Sequence, residues 1–270
     1  MDNGQEQKAE QVFSALLAKP ETRENGLRSL AFLDLYRGRY ASAQRRLEDA
    51  LTIDENDHQS FSMARIHYML AVIAAGEGNT RKQIADLDIA MTFFKDIGSN
   101  VIYGTLIGHE YARAGAIAKA EKILSIITPL ADTRDNQQTD YLHLLQAEIV
   151  LAKGNPDKAL DFITLPNSAD EQSTRVLLTE FMAHAYQKTG KTGLAIQWYE
   201  KLTNATTTLG WEPQQRCLKA RYILAKDYLA QGDREKARTA LAPLLRLWTN
   251  ADTNLPLRKQ LLQLDARMSQ

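Results

Sequence analysis

The chain has 270 residues, 44% hydrophobic and 24% charged, which is the balance of an ordinary soluble globular protein. Lys and Arg together number 33, as do Asp and Glu, so no net field draws the chain to nucleic acid or to an anionic membrane. The single cysteine, Cys217, excludes an intramolecular disulfide and fits a reducing compartment, so a cytoplasmic location is expected.

The polar start MDNGQEQKAEQ has no apolar stretch of the kind a secretory signal needs. Residues 8–17 read as a lone helix with Ala9, Phe13 and Leu16 on one face, closed by Pro20. It has the phase of a return helix without its partner. It is read either as a short cap or as the remnant of an array cut from a longer protein, with the second preferred. A first helical hairpin follows over about 25–57, its apolar stripe interrupted by Asp34. Further hairpins are expected over 61–97, 101–134, 140–166, 173–205 and 212–250, and a capping helix over 255–268. Leu257, Leu261, Leu264 and Met268 give that last helix an apolar stripe. No apolar run, the stretch 68–75 included, is long enough to span a bilayer. Asn155, Thr192 and Asp233 are expected to cap helices after turns, with Pro156 at a first helical position.

Six glycines, Gly38, Gly78, Gly115, Gly154, Gly190 and Gly232, share one local frame. Seven residues before each stands a small residue: Ala31, Ala71, Gly108, Ala147, Ala183 and Ala225. Five after come Ala43, Gln83, Ala120, Ala159, Ala195 and Ala237, and nine after come Leu47, Leu87, Leu124, Ile163, Tyr199 and Leu241. Small residues let two helices approach, the glycine turns the chain, and the large residue fills the space above the contact. A self-similar unit of about 34–42 residues with this grammar is a helical-hairpin repeat. The expected fold is all-α: a right-handed α–α superhelix of about six hairpins plus flanking helices, forming one solenoid domain over 1–270.

These residues resemble the tetratricopeptide repeat. AFLDLYRGRYASAQRRLEDALTID (31–54) is the most typical stretch, with Ala31, Gly38, Tyr40, Ala43, Leu47 and Ala50 at the family's packing places. AHAYQKTGKTGLAIQWYEKL (183–202) and QGDREKARTAL (231–241) are similar. Gln83 in the second repeat and Pro166 in the fourth depart from the pattern, so those two interfaces should be irregular. The C-terminal stretch, through Gly210, Trp211, Glu212, Trp248, Asp252, Leu255 and Pro256, resembles the ending of large bacterial signalling proteins. Those proteins join a Ser/Thr kinase or a winged-helix DNA-binding domain to a tetratricopeptide array. The resemblance implies a sensor or scaffold portion of such a protein.

No catalytic constellation emerges, and neither a cofactor nor a metal is expected. His109-Glu110 begins like a zinc-protease motif, but Arg113 stands where the second histidine is needed. His67 and His143 fall on the apolar side of their hairpins, as core or interface histidines. Cys217 has no histidine near it in sequence and reads as a half-buried structural thiol. Trp211, beyond the loop of Thr206, Thr207 and Thr208, reads as a packing anchor. What remains is recognition. The first helices of stacked hairpins line a groove, and their exposed face is expected to offer Arg65, Tyr68, His109, Arg113, Tyr141, Glu148, Glu180, His184, Lys188, Lys219, Tyr222 and Lys226. Aromatics interleaved with both signs of charge suit a protein or peptide partner rather than a nucleic acid or a membrane. The family's two-asparagine carboxylate clamp is not expected, because Phe32, Val72, His109, Glu148, His184 and Lys226 stand six before the turn glycines. The expected function is a non-enzymatic interaction scaffold of bacterial signalling. The alternative is a module that senses a small molecule or signalling peptide and controls an attached kinase or DNA-binding domain.

Overall fold

The computed structural model describes residues 3–57, 59–96, 98–163, 172–204 and 211–269. These form fourteen α-helices and two 3-10 turns, with no strand among the described residues. A lone helix α1 (Asn3–Ala15) precedes six hairpins in chain order. They are α2 (Pro20–Tyr36) with α3 (Tyr40–Asp57), α4 (Ser60–Gly76) with α5 (Thr80–Thr92), and α6 (Val101–Arg113) with α7 (Ile117–Ile127). Then come α8 (Asn136–Ala152) with α9 (Pro156–Leu160), α10 (Gln172–Lys188) with α11 (Thr192–Asn204), and α12 (Trp211–Ala230) with α13 (Arg234–Leu247). The helix α14 (Pro256–Ser269) ends the chain.

The glycine frame is the frame of the hairpins. All six turn glycines have φ between 73° and 83°, the left-handed region that ends a helix without a Cβ penalty. Ala31, Ala71, Ala147, Ala183 and Ala225 before the turns are buried, as are Ala43, Ala120, Ala159, Ala195 and Ala237 after them. A Cβ on Gly108 would stand 2.8 Å from Leu145 Cδ2, so that position is small because the next hairpin packs on it. Gln83, the departure in the second hairpin, is buried on α5. The fourth hairpin is the irregular one, its return helix α9 being five residues long. Pro166, Thr206–Thr208 and Gly210 lie outside the described residues.

The chain divides into two compact units, Met1–Gly98 with Leu247–Lys259, and Ser99–Arg246 with Gln260–Gln270. In the first, α1 packs on α2, and Arg37 donates to Glu6 at 3.1 Å and to Glu10 at 2.8 Å. Pro20 does not close α1. It opens α2 at the first helical position, where the missing N–H costs nothing. Asp34, which interrupts the apolar stripe, is held by Arg39 at 2.5 Å, by Arg46 at 2.8 Å and by the Ser42 hydroxyl at 2.8 Å.

The strap of residues 247–259 closes this unit. Trp248 Nε1 donates to the Tyr36 carbonyl at 3.0 Å, and its ring meets Tyr40 edge-on with centroids 6.2 Å apart. The Asp252 amide donates to the Gly38 carbonyl at 3.0 Å. The Asp252 carboxylate accepts the Ala41 N–H at 2.8 Å, satisfying a donor left over at the start of α3. A Cβ on Gly38 would lie 2.6 Å from Ala251 Cβ and 2.9 Å from the Trp248 ring, so this glycine serves the strap as well as the turn.

In the second unit, α8, α9 and α10 share an apolar core of Tyr141, Leu144, Leu151, Leu178, Phe181 and Met182 with neighbouring alanines. Asn100 caps α6, Asp135 caps α8, and Asp233 accepts the Lys236 N–H as expected. One expected cap is corrected: Thr192 is already the first residue of α11. Asn155 stands at the N-cap of α9 with Pro156 in the first turn, although its side chain makes no capping bond. Leu261, Leu264 and Met268 of α14 are buried, so the apolar stripe of that helix faces protein.

Candidate functional site

Four first helices of the second unit, α6, α8, α10 and α12, pack as neighbours and bring charged residues together from each. Arg113, at the end of α6, donates from Nη1 to Glu180 Oε1 at 2.9 Å and from Nη2 to Glu148 Oε1 and Glu180 Oε2, both at 3.1 Å. Arg216 of α12 bonds Glu180 Oε2 from the other side and lies 3.8 Å from Glu110 Oε1. Glu180 thus takes two guanidiniums. Burial alone would raise its pKa, but Arg113 and Arg216 outweigh that and hold it well below the usual carboxylate range. Glu148 is pushed upward by burial, with Arg113 opposing.

His109 sits inside this cluster and is fully buried. Burial, followed by the charges of Arg113 and Arg216, keeps its pKa well below the ordinary value, so the ring is neutral. Arg216 Nη1 lies 3.3 Å from Nε2, which must therefore be the accepting nitrogen. The proton then belongs on Nδ1, 3.4 Å from Glu148 Oε1.

The cluster forms one wall of a cavity of about 360 Å³ between α10 and α12. Its lining includes Arg113, Glu180, His184, Gln187, Lys188, Tyr199, Arg216 and Lys219. Tyr199 donates to Gln187 Oε1 at 3.2 Å, which fixes one side. His184 has its pKa lowered to about 4, by burial first and then by Arg113, and it too is neutral. Lys188 and Lys219 are exposed, and neither makes a salt bridge among the described residues.

A tetratricopeptide repeat family model matches residues 218–243, which span the turn from α12 to α13 around Gly232. The fold is that of a tetratricopeptide repeat protein. A tetratricopeptide repeat protein from Parabacteroides merdae aligns over 98% of this chain and 94% of its own, with a TM-score of 0.55 and 18% identity. In the hetero-tetramer Cut9–Hcn1 of the APC/C, the similar chain aligns over 97% of this one with a TM-score of 0.51 and 17% identity. The aligned region spans 46% of that longer chain. No curated protein matches the sequence.

Within this tetratricopeptide fold the twelve expected groove residues fall into separate groups. Arg65 and Tyr68 belong to the first unit, where Arg65 stacks 5.7 Å from the Phe61 ring centroid and Tyr68 is buried. Tyr141 lies in the apolar core of α8 to α10. His109, Arg113, Glu148, Glu180, His184, Lys188 and Lys219 come together at the cluster and cavity, while Tyr222 and Lys226 lie further along α12. The expectation of an exposed face needs correction for five of them, since Tyr68, His109, Tyr141, Glu148 and Glu180 are buried. Neighbouring first helices close over that part of the face. Arg216 and Glu110 were missed as members of the cluster. Glu110 and Arg216 stand five and sixteen residues before their turn glycines, off the repeated positions, so no local pattern marks them.

His67 of α4 approaches Asp86 of α5 at 3.4 Å, an interface histidine, whereas His143 is exposed rather than on an apolar side. Burial raises the Cys217 thiol to about 11, and it donates to the Leu202 carbonyl at 3.3 Å, so it is an inert structural group. The Trp211 side chain lies outside the described residues. No three metal-ligating side chains gather among the described residues, and no helix there is long and apolar enough to cross a membrane.

Proposed function

We propose that this protein is an interaction scaffold of a bacterial signalling or regulatory system, binding a polypeptide along the first helices of its second unit. The observation that carries the reading is the contrast between held and uncommitted charge on that face. Arg113 and Arg216 are locked by Glu148, Glu180 and Glu110 into one arrangement. Lys188 and Lys219 stand exposed beside them, and Lys226 further along α12, without salt bridges among the described residues. A rigid base with accessible charged and aromatic groups lowers the ordering cost of binding, and tetratricopeptide arrays are interaction scaffolds as a class. The signalling context rests on the resemblance at Trp248, Asp252, Leu255 and Pro256. No catalytic step is assigned, because function has to be argued from a site and this one is built for recognition.

Random peptides displayed on phage test the reading. Wild-type protein should enrich a family of sequences, and Lys188→Glu with Lys226→Glu should abolish the enrichment. Their melting temperature should hold, because exposed substitutions move stability by only about ±0.5 kcal/mol. Failure to enrich any sequence, or enrichment untouched by the two substitutions, would overturn it.

A further inference from the structure

We infer that the turn of the first hairpin is a recognition site for a short polypeptide segment carrying Trp and then Ala, Asp and Leu three, four and seven residues on, and that the strap of residues 247–259 occupies it in cis. The strap has the anatomy of a bound ligand. Trp248, Ala251 and Leu255 are buried and Asp252 is half-buried, whereas Thr249, Asn250, Thr253 and Asn254 between them are exposed. Anchors are thus spaced by pairs of small polar residues that face water.

The receiving side is the backbone of the turn. At the end of α2 the carbonyls of Leu33, Asp34 and Leu35 are taken by amides of the turn itself. The next carbonyl, Tyr36, accepts the Trp248 indole N–H at 3.0 Å, and the Gly38 carbonyl accepts the Asp252 amide at 3.0 Å. Across the turn, α5 and α13 are each capped by the residue before them, Asn79 and Asp233. Arg39, the residue before α3, has no acceptor in its side chain and pairs with Asp34. The Asp252 carboxylate caps α3 in its place, accepting the Ala41 N–H at 2.8 Å. The turn therefore offers two acceptors and one donor, and the segment brings two donors and one acceptor to match them.

Shape adds to the match. A Cβ on Gly38 would collide with Ala251 and Trp248, so the missing side chain is the slot that receives them. Tyr40, which Trp248 meets edge-on, is held from behind by Gly76 of the second hairpin, where an added Cβ would strike its ring. Around Gly115, Gly154, Gly190 and Gly232 nothing lies within 4 Å of such a Cβ, so those turns are not filled in this way. A partner segment with the same anchors competes with the strap, which, being tethered, acts at an effective concentration on the order of millimolar. The site belongs to the first unit and does not depend on the scaffold reading of the second.

The test is a nuclear magnetic resonance titration of the isotope-labelled wild-type chain with an unlabelled peptide of residues 246–257. The peptide should displace the strap, moving the Trp248 indole N–H signal from its hydrogen-bonded position to that of an indole in water. Trp248→Ala weakens the competing strap, so that chain should bind the fluorescently tagged peptide about tenfold or more tighter than wild type does. Alanine for the tryptophan of the peptide should weaken binding about tenfold or more, as for a buried aromatic anchor. Alanine for its aspartate should weaken it about fivefold, the usual effect of losing a helix cap. Serine at its exposed threonine and asparagine positions should leave binding in place. Lys188→Glu with Lys226→Glu should not alter it either, which keeps this site distinct from the groove. No displacement of the Trp248 signal, equal affinity of wild type and Trp248→Ala, or indifference to the tryptophan and aspartate of the peptide would overturn the site.

Discussion

The first helices of the two units follow the same frame and carry opposite chemistry on it. At ten, six and two residues before the turn glycine, α2 presents Arg28, Phe32 and Tyr36, and α4 presents Tyr68, Val72 and Gly76. At the same places α6 presents Thr105, His109 and Arg113, α8 presents Leu144, Glu148 and Ala152, and α10 presents Glu180, His184 and Lys188. Hairpin formation therefore dictates the small and large residues between paired helices and leaves this other face free. The first unit fills it mainly with apolar and aromatic groups. In the second, charges have been buried there, and each must find a partner because an isolated buried ion costs several kcal/mol. Arg113 and Arg216 are the solution to having Glu148 and Glu180 inside.

The sharpest way to break this comparison is to remove one arginine from each unit. Arg113 and Arg37 look alike from outside, with side chains 20% and 18% exposed. Their carboxylates differ in how many are buried: Glu148 and Glu180 are 3% and 10% exposed, whereas of the Arg37 partners Glu6 is 11% exposed and Glu10 is 43% exposed. Arg113→Met strands buried charge, and about 3–5 kcal/mol of stability should be lost. Arg37→Met strands one buried carboxylate, Glu6, while Glu10 reaches water, so its loss should be smaller than that of Arg113→Met. An exposed groove residue would lose no more than Arg37 does, so the early expectation that Arg113 is a free contact is testable in the same urea titrations. Equal small losses would mean the buried cluster is not held by Arg113.

A smaller effect separates the strap from the turn. Gly38→Ala and Gly115→Ala place a Cβ at φ 73° and 77°, and that strain costs about 1–3 kcal/mol in either. Around Gly115 nothing lies within 4 Å, whereas at Gly38 the new methyl meets Ala251 and Trp248. Gly38→Ala should cost about 1–3 kcal/mol more than Gly115→Ala, the ordinary penalty of overpacking. It should also change Trp248 fluorescence, which Gly115→Ala should leave alone. Matching stabilities with an unchanged emission would mean that residues 247–259 do not press on the first turn.

The hairpins could be read from the sequence because their grammar is local. A glycine, a small residue seven before and another five after all serve one turn and its two helices, so Gly38 and Ala31 announce themselves without reference to distant chain. Asp34 could not be placed so easily: the arginines that hold it, Arg39 and Arg46, lie just beyond the turn, and only the folded hairpin aims them back. The cluster is harder again. Glu148 and His109 share one position of the repeated frame, six before their turn glycines, but whether that position is wet depends on how closely α6, α8, α10 and α12 approach one another. That distance is set by packing between hairpins. Arg216 sits sixteen residues before Gly232, off the repeated positions, and only the contact with Glu180 reveals its part. The docking of Trp248 on Tyr36 and Gly38 joins residues more than two hundred apart, beyond any local pattern.

The gentlest test of the charged unit uses acid. His184 has a folded pKa near 4 against 6.5 for a free ring, because burial and the charges of Arg113, Lys188 and Lys219 disfavour its protonated form, with Glu180 opposing. As pH falls below 6.5, the unfolded chain takes up a proton here and the folded chain does not. Stability therefore falls with pH through the window from 6.5 to about 4. Glu180, held low, adds to acid loss as pH drops from the ordinary carboxylate range toward its own depressed value, whereas Glu148, held high, works in the opposite direction. His109 acts with the same sign as His184, so the wild-type slope alone is a mixture. The difference between wild type and His184→Gln isolates one ring. Urea midpoints should show the wild type losing about 1 kcal/mol more than the variant over the first pH unit below 6.5. Parallel stability curves for the two proteins would show that the cations around the cavity do not govern this histidine, and that the charge of the second unit is screened where it meets solvent.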